Sequence, residues 1–163
     1  MAKRTIIPWP DKRLQTAAAP VDEITDDIRT LWNDMIKVMD AMPGYGLAAP
    51  QLGVLRQLAV VDCSEERGQA VRLANPKIVS ASEELFTWDE ASPNLPGLSA
   101  KVKRPARVTV AYIDETGAQT EREFKDLWAT SVQHQIDHLN GKMYFDRLSR
   151  TKRTMLLKKA QKR

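Results

Sequence analysis

The chain has one cysteine, Cys63, and two histidines in 163 residues. A disulfide within the chain is excluded, and so is a zinc site built on cysteine alone. A metal, if bound, must draw on this small supply of sulfur and nitrogen donors. No stretch approaches the roughly 20 apolar residues of a membrane-spanning helix. The opening MAKRTIIPWPDKRL lacks the apolar core, about 7–15 residues long, of a secretory leader. No internal repeat and no low-complexity linker is visible. These absences make the cytoplasm the expected location and give no reason to expect a membrane or DNA partner.

What is present points to a folded body. Hydrophobic residues make up 42%, and a chain of this length buries roughly 70% of its surface. The net charge of +4 is unevenly spread. The segment 149–163, SRTKRTMLLKKAQKR, holds seven of the 25 basic residues and none of the 21 acidic ones. The body, 1–148, keeps 18 basic against 21 acidic residues, a net of −3. The chain therefore reads as one domain over 1–148 and a basic C-terminal helix over 149–163, packed on that domain or extending from it. The tail suits a polyanion such as ribosomal RNA; the plainer reading is a solvated helix whose basic residues suit its C-terminal dipole.

Pro8, Pro10 and Pro20 punctuate an extended N-terminal arm. Thr25 reads as an N-cap, with Asp26 and Asp27 in the first turn. Ile28, Leu31, Trp32, Met35, Ile36, Val38 and Met39 then keep a helical period to about Ala41. Short apolar runs of strand length follow at Leu58–Val61, Ala70–Ala74, Ile78–Ser80 and Arg107–Ile113. Asp114-Glu115-Thr116-Gly117 reads as a hairpin turn into Thr120–Phe124. A helix is expected from about Asp126 to Asn140, with Gly141 at C′, and a last one over Arg150–Gln161. Helix, strands, then helices is an α+β pattern.

Both histidines fall in His134-Gln135-Ile136-Asp137-His138. Four residues apart on a helix, they stack on one face and can share a metal. In H-E-x-x-H the Glu takes a proton from metal-bound water. Here Gln135 fills that position; it can orient a water but has no proton-accepting form at neutral pH.

Three segments together resemble the peptide deformylases. Gly44-Tyr45-Gly46-Leu47-Ala48-Ala49-Pro50-Gln51 matches G-x-G-L-A-A-x-Q. Gln133-His134-Gln135-Ile136-Asp137-His138-Leu139 is similar to Q-H-E-x-D-H-L, departing at Gln135. Counting back from Arg104-Pro105 and Pro96 aligns E-G-C-L-S with Glu90-Ala91-Ser92-Pro93-Asn94, where only the Glu survives. The resemblance implies a deformylase-like fold, with mixed or antiparallel strands around the H-x-x-x-H helix and helices at both ends. It also implies removal of the formyl group from formyl-methionine at the N-termini of new proteins. The metal would sit on His134, His138 and the residue at the cysteine position, Ser92. The base position falls to Gln135 and the side-chain oxyanion donor to Gln51. The substrate cleft would include Gly44, Tyr45, Gly46, Ala91, Pro93, Thr130 and Ser131. A C-terminal helix of this kind implies a ribosome contact.

A serine hydroxyl is a poor ligand beside a thiolate. Pro93 has no N–H with which to complete an oxyanion hole. One oxyanion donor is worth about 10²–10³ in rate, and a general base about 10²–10⁴. The expectation is therefore lost or strongly reduced deformylation, a pseudoenzyme that binds peptide N-termini or nascent chains. The cofactor is either one weakly bound divalent ion (iron, zinc or nickel) or none. The alternative is an active metal-dependent amidohydrolase with an altered metal site. A Ser92–His134 nucleophile–base pair is a third reading, lacking an acid to orient the histidine. Thr130 and Ser131 either back-bond to helical carbonyls, the slightly favoured reading, or re-tune the pocket. Cys63 reads as a small residue packed at a strand end. Trp88 is a packing residue or a wall of the cleft. Glu90 and Asp137 read as partners beside the site.

Overall fold

The computed structural model describes residues 4–162. Helix α1 (Asp26–Ala41) starts where the Thr25 hydroxyl accepts from the Ile28 N–H. Its buried face is Ile28, Leu31, Trp32, Met35 and Met39, the spacing of a single helical stripe. Strands β1 (Gly46–Ala48), β2 (Leu58–Val61) and β3 (Val71–Ala81) follow. Next come β4 (Leu85–Glu90), β5 (Ala100–Pro105), β6 (Arg107–Ile113) and β7 (Gln119–Lys125). Five strands form an antiparallel sheet in the order β1-β2-β3-β6-β7. β4 and β5 pair with each other in a separate hairpin. Helix α2 (Asp126–Leu139) runs through the middle, buried from Ala129 to Leu139, and packs against the sheet and the hairpin. The α+β class and the two end helices are as expected.

Three details differ from the sequence expectation. The runs at Ala70–Ala74 and Ile78–Ser80 belong to one strand, β3. Pro76 cannot donate to a ladder, Asn75 sits at φ 49, and the β3–β6 register shifts there. The Asn75 carboxamide turns away to hold both the N–H and the carbonyl of Val21. Strands β1, β4 and β5 were not foreseen. β1 is only three residues long. β4 buries only Glu90, and β5 places lysines at 101 and 103, so neither shows a half-buried apolar alternation.

Two glycines are fixed by neighbours. Gly141 closes α2 at φ 76, with the Gln15 carbonyl carbon 2.9 Å from where its Cβ would stand. Gly46 lets β1 press onto α2, since a Cβ there would come within 2.5 Å of Gln135 Nε2 and 2.6 Å of Ser131 Oγ. Helix α3 (Arg150–Gln161) starts at the Ser149 cap and inserts Leu156 beside Leu95, Leu98, Tyr144 and Phe145. Arg150, Lys152, Lys158, Lys159 and Lys162 point to solvent; Arg163, also part of the basic segment, lies outside the described residues.

Candidate active site

A cleft of about 330 Å³ opens between β1, the hairpin and α2. One wall is Met42, Gly44, Tyr45, Gly46 and Gln51. The other is Trp88, Glu90, Ala91, Ser92 and Pro93. Leu127, Thr130, Ser131, His134 and Gln135 of α2 form the floor. The residues singled out in the sequence thus meet in one place, apart from His138. That ring lies behind His134, 1% exposed, with the two Nε2 atoms 3.1 Å apart.

A carboxylate fixes the first ring. Glu90 Oε1 lies 2.8 Å from His134 Nδ1. A carboxylate only accepts, so Nδ1 carries the proton shared with Glu90, which leaves Nε2 as the nitrogen on the His138 side. Burial pushes the Glu90 pKa upward, but hydrogen bonds and charge from His134 and Arg104 outweigh it and hold Glu90 below the ordinary value. Arg104, fully buried, reaches Glu90 at 2.7 and 2.9 Å and Asp137 at 2.8 Å. Arg147 closes the far side of Asp137 at 2.7 and 3.0 Å. Glu90 and Asp137 are therefore partners beside the site; the contact of Glu90 with His134, 44 residues away, left no mark in the sequence. Burial, then the charges of His134 and Arg104, hold the His138 pKa well below its usual value, so that ring is neutral.

Two imidazole nitrogens converge while His138 Nδ1, also buried, has no partner. Nitrogen ligands at about 2.0–2.1 Å from a tetrahedral ion lie about 3.3 Å apart, close to the spacing seen. The pair therefore fits a metal as two of its ligands. Among the described residues no group of three or more His, Cys, Asp or Glu is placed to hold an ion. Cys63, partly buried, faces the Tyr45 carbonyl at 3.9 Å, and burial above all raises its pKa to about 12. It is a packed thiol at the end of β2.

Ser92 is engaged elsewhere. Its hydroxyl lies 2.9 Å from Asn94 Oδ1 and accepts from Gln51 Nε2 at 3.3 Å. The Asn94 carbonyl also takes the Gln51 amide at 2.8 Å, while its Nδ2 donates to the Ile7 carbonyl at 2.6 Å. Both amide protons of Gln51 are thus committed, and its Oε1 accepts from the Ala48 N–H. The Ser92 nucleophile reading falls here, because the Ser92 proton goes to Asn94 and His134 Nε2 faces His138. Sequence reasoning missed Asn94 as the hub, and no local pattern marks it.

Ser131 corrects another expectation. Its hydroxyl donates to the Tyr45 carbonyl across the cleft at 2.8 Å, not to its own helix, because β1 packs so closely on α2 at Gly46. Thr130 Oγ1 and Gln135 Oε1 are buried with no partner. Trp88 lines the cleft and meets Tyr45 edge-on, with ring centroids 6.5 Å apart.

Fold and cleft together define an α+β protein built around a central H-x-x-x-H helix. The family model for polypeptide deformylase matches residues 3–154. A peptide deformylase of Methylocella silvestris is 42% identical over 167 residues, covering 99% of this chain and 85% of its own. One from Hydrogenovibrio crunogenus is 41% identical over 162 residues, covering 99% and 95%. Among solved structures, a Legionella pneumophila peptide deformylase superposes at TM-score 0.90 with 38% identity, over 99% of this chain and 95% of that one. The Ehrlichia chaffeensis enzyme in complex with actinonin gives 0.91 with 34% identity, over 99% and 98%. The chain belongs to the peptide deformylase family, which is metal-dependent.

This overturns the expectation of a pseudoenzyme. Relatives about 40% identical along the whole chain carry the deformylase name, and a degenerate metal site has no support. The expectation rested on the substitutions at Ser92, Pro93 and Gln135, and the full-length likeness to named deformylases outweighs it. His134 and His138 stand as the two retained ligand positions, and the structure adds the hold of Glu90 on His134.

Proposed function

We propose that the chain is an active metal-dependent hydrolase that removes the formyl group from peptide N-termini, including those of nascent chains, with an altered metal site. The observation that carries this is the convergence of the His134 and His138 Nε2 atoms at 3.1 Å, His134 on the cleft floor and His138 directly behind it, in a deformylase fold. His134 and His138 would hold the ion, with Ser92 Oγ or a water as the further ligand; iron, zinc or nickel held there would supply Lewis acidity. Glu90 keeps the His134 lone pair directed into the site. Gln135 Oε1, unpartnered at the cleft floor, accepts a hydrogen bond from the attacking water and orients it. Gln51 serves the formyl oxygen by exchanging its longer bond, the 3.3 Å one to Ser92. Pro93 offers no second donor.

The test is metal content together with formate release from formyl-Met-Ala-Ser. About one ion per chain is expected, with turnover lost after chelation or in His138→Ala. Gln135→Glu should raise turnover by about 10²–10⁴ by supplying a base. Protein that binds no iron, zinc or nickel and releases no formate would overturn the reading.

The exposed basic face of α3 supports a second, separate reading, a salt-sensitive contact with ribosomal RNA. Reversing Lys158, Lys159 and Lys162 to Glu should abolish ribosome co-sedimentation while leaving Leu156 in place; unchanged co-sedimentation would refute it.

A further inference from the structure

Arg67 lies in the loop between β2 and β3, outside the three deformylase-like segments. Its backbone stands at φ 60, beside Gly68 at φ 73. A left-handed conformation is unfavourable for a long side chain and persists where the surroundings impose it. Here the guanidinium is what the surroundings hold. Partly buried, it donates to Asp40 Oδ1 at 2.8 and 3.1 Å, to the Gly44 carbonyl at 2.7 Å and to the Asp62 carbonyl at 3.2 Å. One side chain thus joins the last turn of α1, the turn into β1 and the end of β2. Asp40 is ill placed for its own helix, because a helix C-terminus favours a cation and α1 has no basic residue in its last turn. Arg67 supplies that cation from another loop and turns a further N–H onto Gly44.

Gly44 belongs to the cleft wall together with Met42 and Tyr45, whose side chains are exposed there. The Tyr45 ring meets Trp88 of the opposite wall at 6.5 Å, so the position of this segment sets the width of the opening. Ser131 pins the Tyr45 carbonyl, and Arg67 pins the Gly44 carbonyl one residue earlier. The groups assigned to the reaction are anchored without Arg67. Gln51 is held by Asn94 and the Ala48 N–H, and His134 by Glu90.

We infer that Arg67 is a positioning residue: through the Gly44 carbonyl and Asp40 it holds the Met42–Tyr45 wall at the spacing from Trp88 that grips the first residue of the peptide. This rests on the reading of the cleft as the seat of a peptide N-terminus. The lining there is mostly apolar (Met42, Tyr45, Trp88, Pro93 and Leu127), so the grip is one of close packing, which is lost when a wall moves.

Arg67→Asn is the test, since asparagine tolerates the left-handed backbone but cannot span from there to Asp40 and Gly44. The KM for formate release from formyl-Met-Ala-Ser should rise about 10-fold, the scale of one lost hydrogen bond to a charged group. The kcat should stay within about twofold, the pattern of lost uniform binding. The Kd of the deformylated peptide Met-Ala-Ser, from titration calorimetry, should rise with KM. Asp40→Asn, which keeps the Gly44 bond, should raise both by less. Arg72→Asn, which loses a bond to Asn33 away from the cleft, should raise neither. Thermal melts establish that each variant is folded. A folded Arg67→Asn with KM and Kd unmoved, or with kcat falling while KM holds, would overturn the inference. Weaker Met-Ala-Ser binding in Arg67→Asn, with no formate released even by the unaltered protein, upholds this wall and defeats the deformylase reading. Formate release with KM unmoved does the reverse, and an unaltered protein that neither binds Met-Ala-Ser nor releases formate defeats both.

Discussion

Helix α2 carries polar side chains on two sides, and the two sides are finished differently. Behind the cleft, Asp137 is paired with Arg104 and Arg147, Arg104 reaches on to Glu90 of the cleft wall, and Gln133 donates to the Pro105 and Ala129 carbonyls. On the cleft side, Thr130 Oγ1 and Gln135 Oε1 have no partner, and two histidine nitrogens face each other. A low-dielectric interior makes an unpaired polar group costly. Of the buried side-chain atoms without a partner, Thr130 Oγ1 and Gln135 Oε1 lie where a ligand in the cleft can complete them, whereas Trp32 Nε1 sits in the core beneath α1.

The largest test of that contrast is Arg104→Met. It strands Glu90 and Asp137 without their shared cation, and breaking a buried pair in this way costs about 3–5 kcal/mol. Calorimetry should show Tm falling by about 6–20 °C. Acid should act next, and chelated protein separates it from metal loss. Glu90 and Asp137 both titrate below their ordinary values of 4.5 and 3.8 when folded. Their contribution is complete above those values and is lost as pH falls through the folded ones. Tm should therefore hold from neutral pH to about pH 5 and then decline; a Tm that stayed flat to pH 3 would contradict the pairing. Ser131→Ala should cost about 0.5–1 kcal/mol in a denaturant titration, because the Tyr45 carbonyl still accepts from the Asp62 N–H. Thr130→Val should have the smallest effect, within about 0.5 kcal/mol or slightly stabilising, since the hydroxyl it removes had no bond to lose. A cost as large as that of Ser131→Ala would mean the cleft face is not open.

The two walls of the cleft were unequally legible. Gly44–Gln51 was legible through its match to the deformylase pattern, and the close approach of β1 to α2 at Gly46 gives part of that pattern a physical cause. Glu90–Asn94 could be aligned but not interpreted. Reading Ser92 and Pro93 as losses led to an inactive protein, and the likeness to named deformylases along the whole chain corrected that. Asn94, the residue that holds Gln51, Ser92 and the N-terminal arm together, has no sequence signature, because its partners are 2, 43 and 87 residues away. The β4–β5 hairpin escaped notice because it is largely solvated and leaves little apolar period.

By itself the sequence determined the phase of α1 and α2, the stacking of His134 on His138, the stop at Gly141 and the scarcity of soft donors, with its one cysteine at 63 and not 92. All of these are local matters of helical period, backbone freedom and residue type. Only the tertiary structure decided that Glu90 holds His134, that Ser131 bonds across to β1 while Thr130 stays free, and that Cys63 packs clear of the histidine pair. Those outcomes depend on which buried polar groups find partners once distant segments have come together, and no local spacing encodes that.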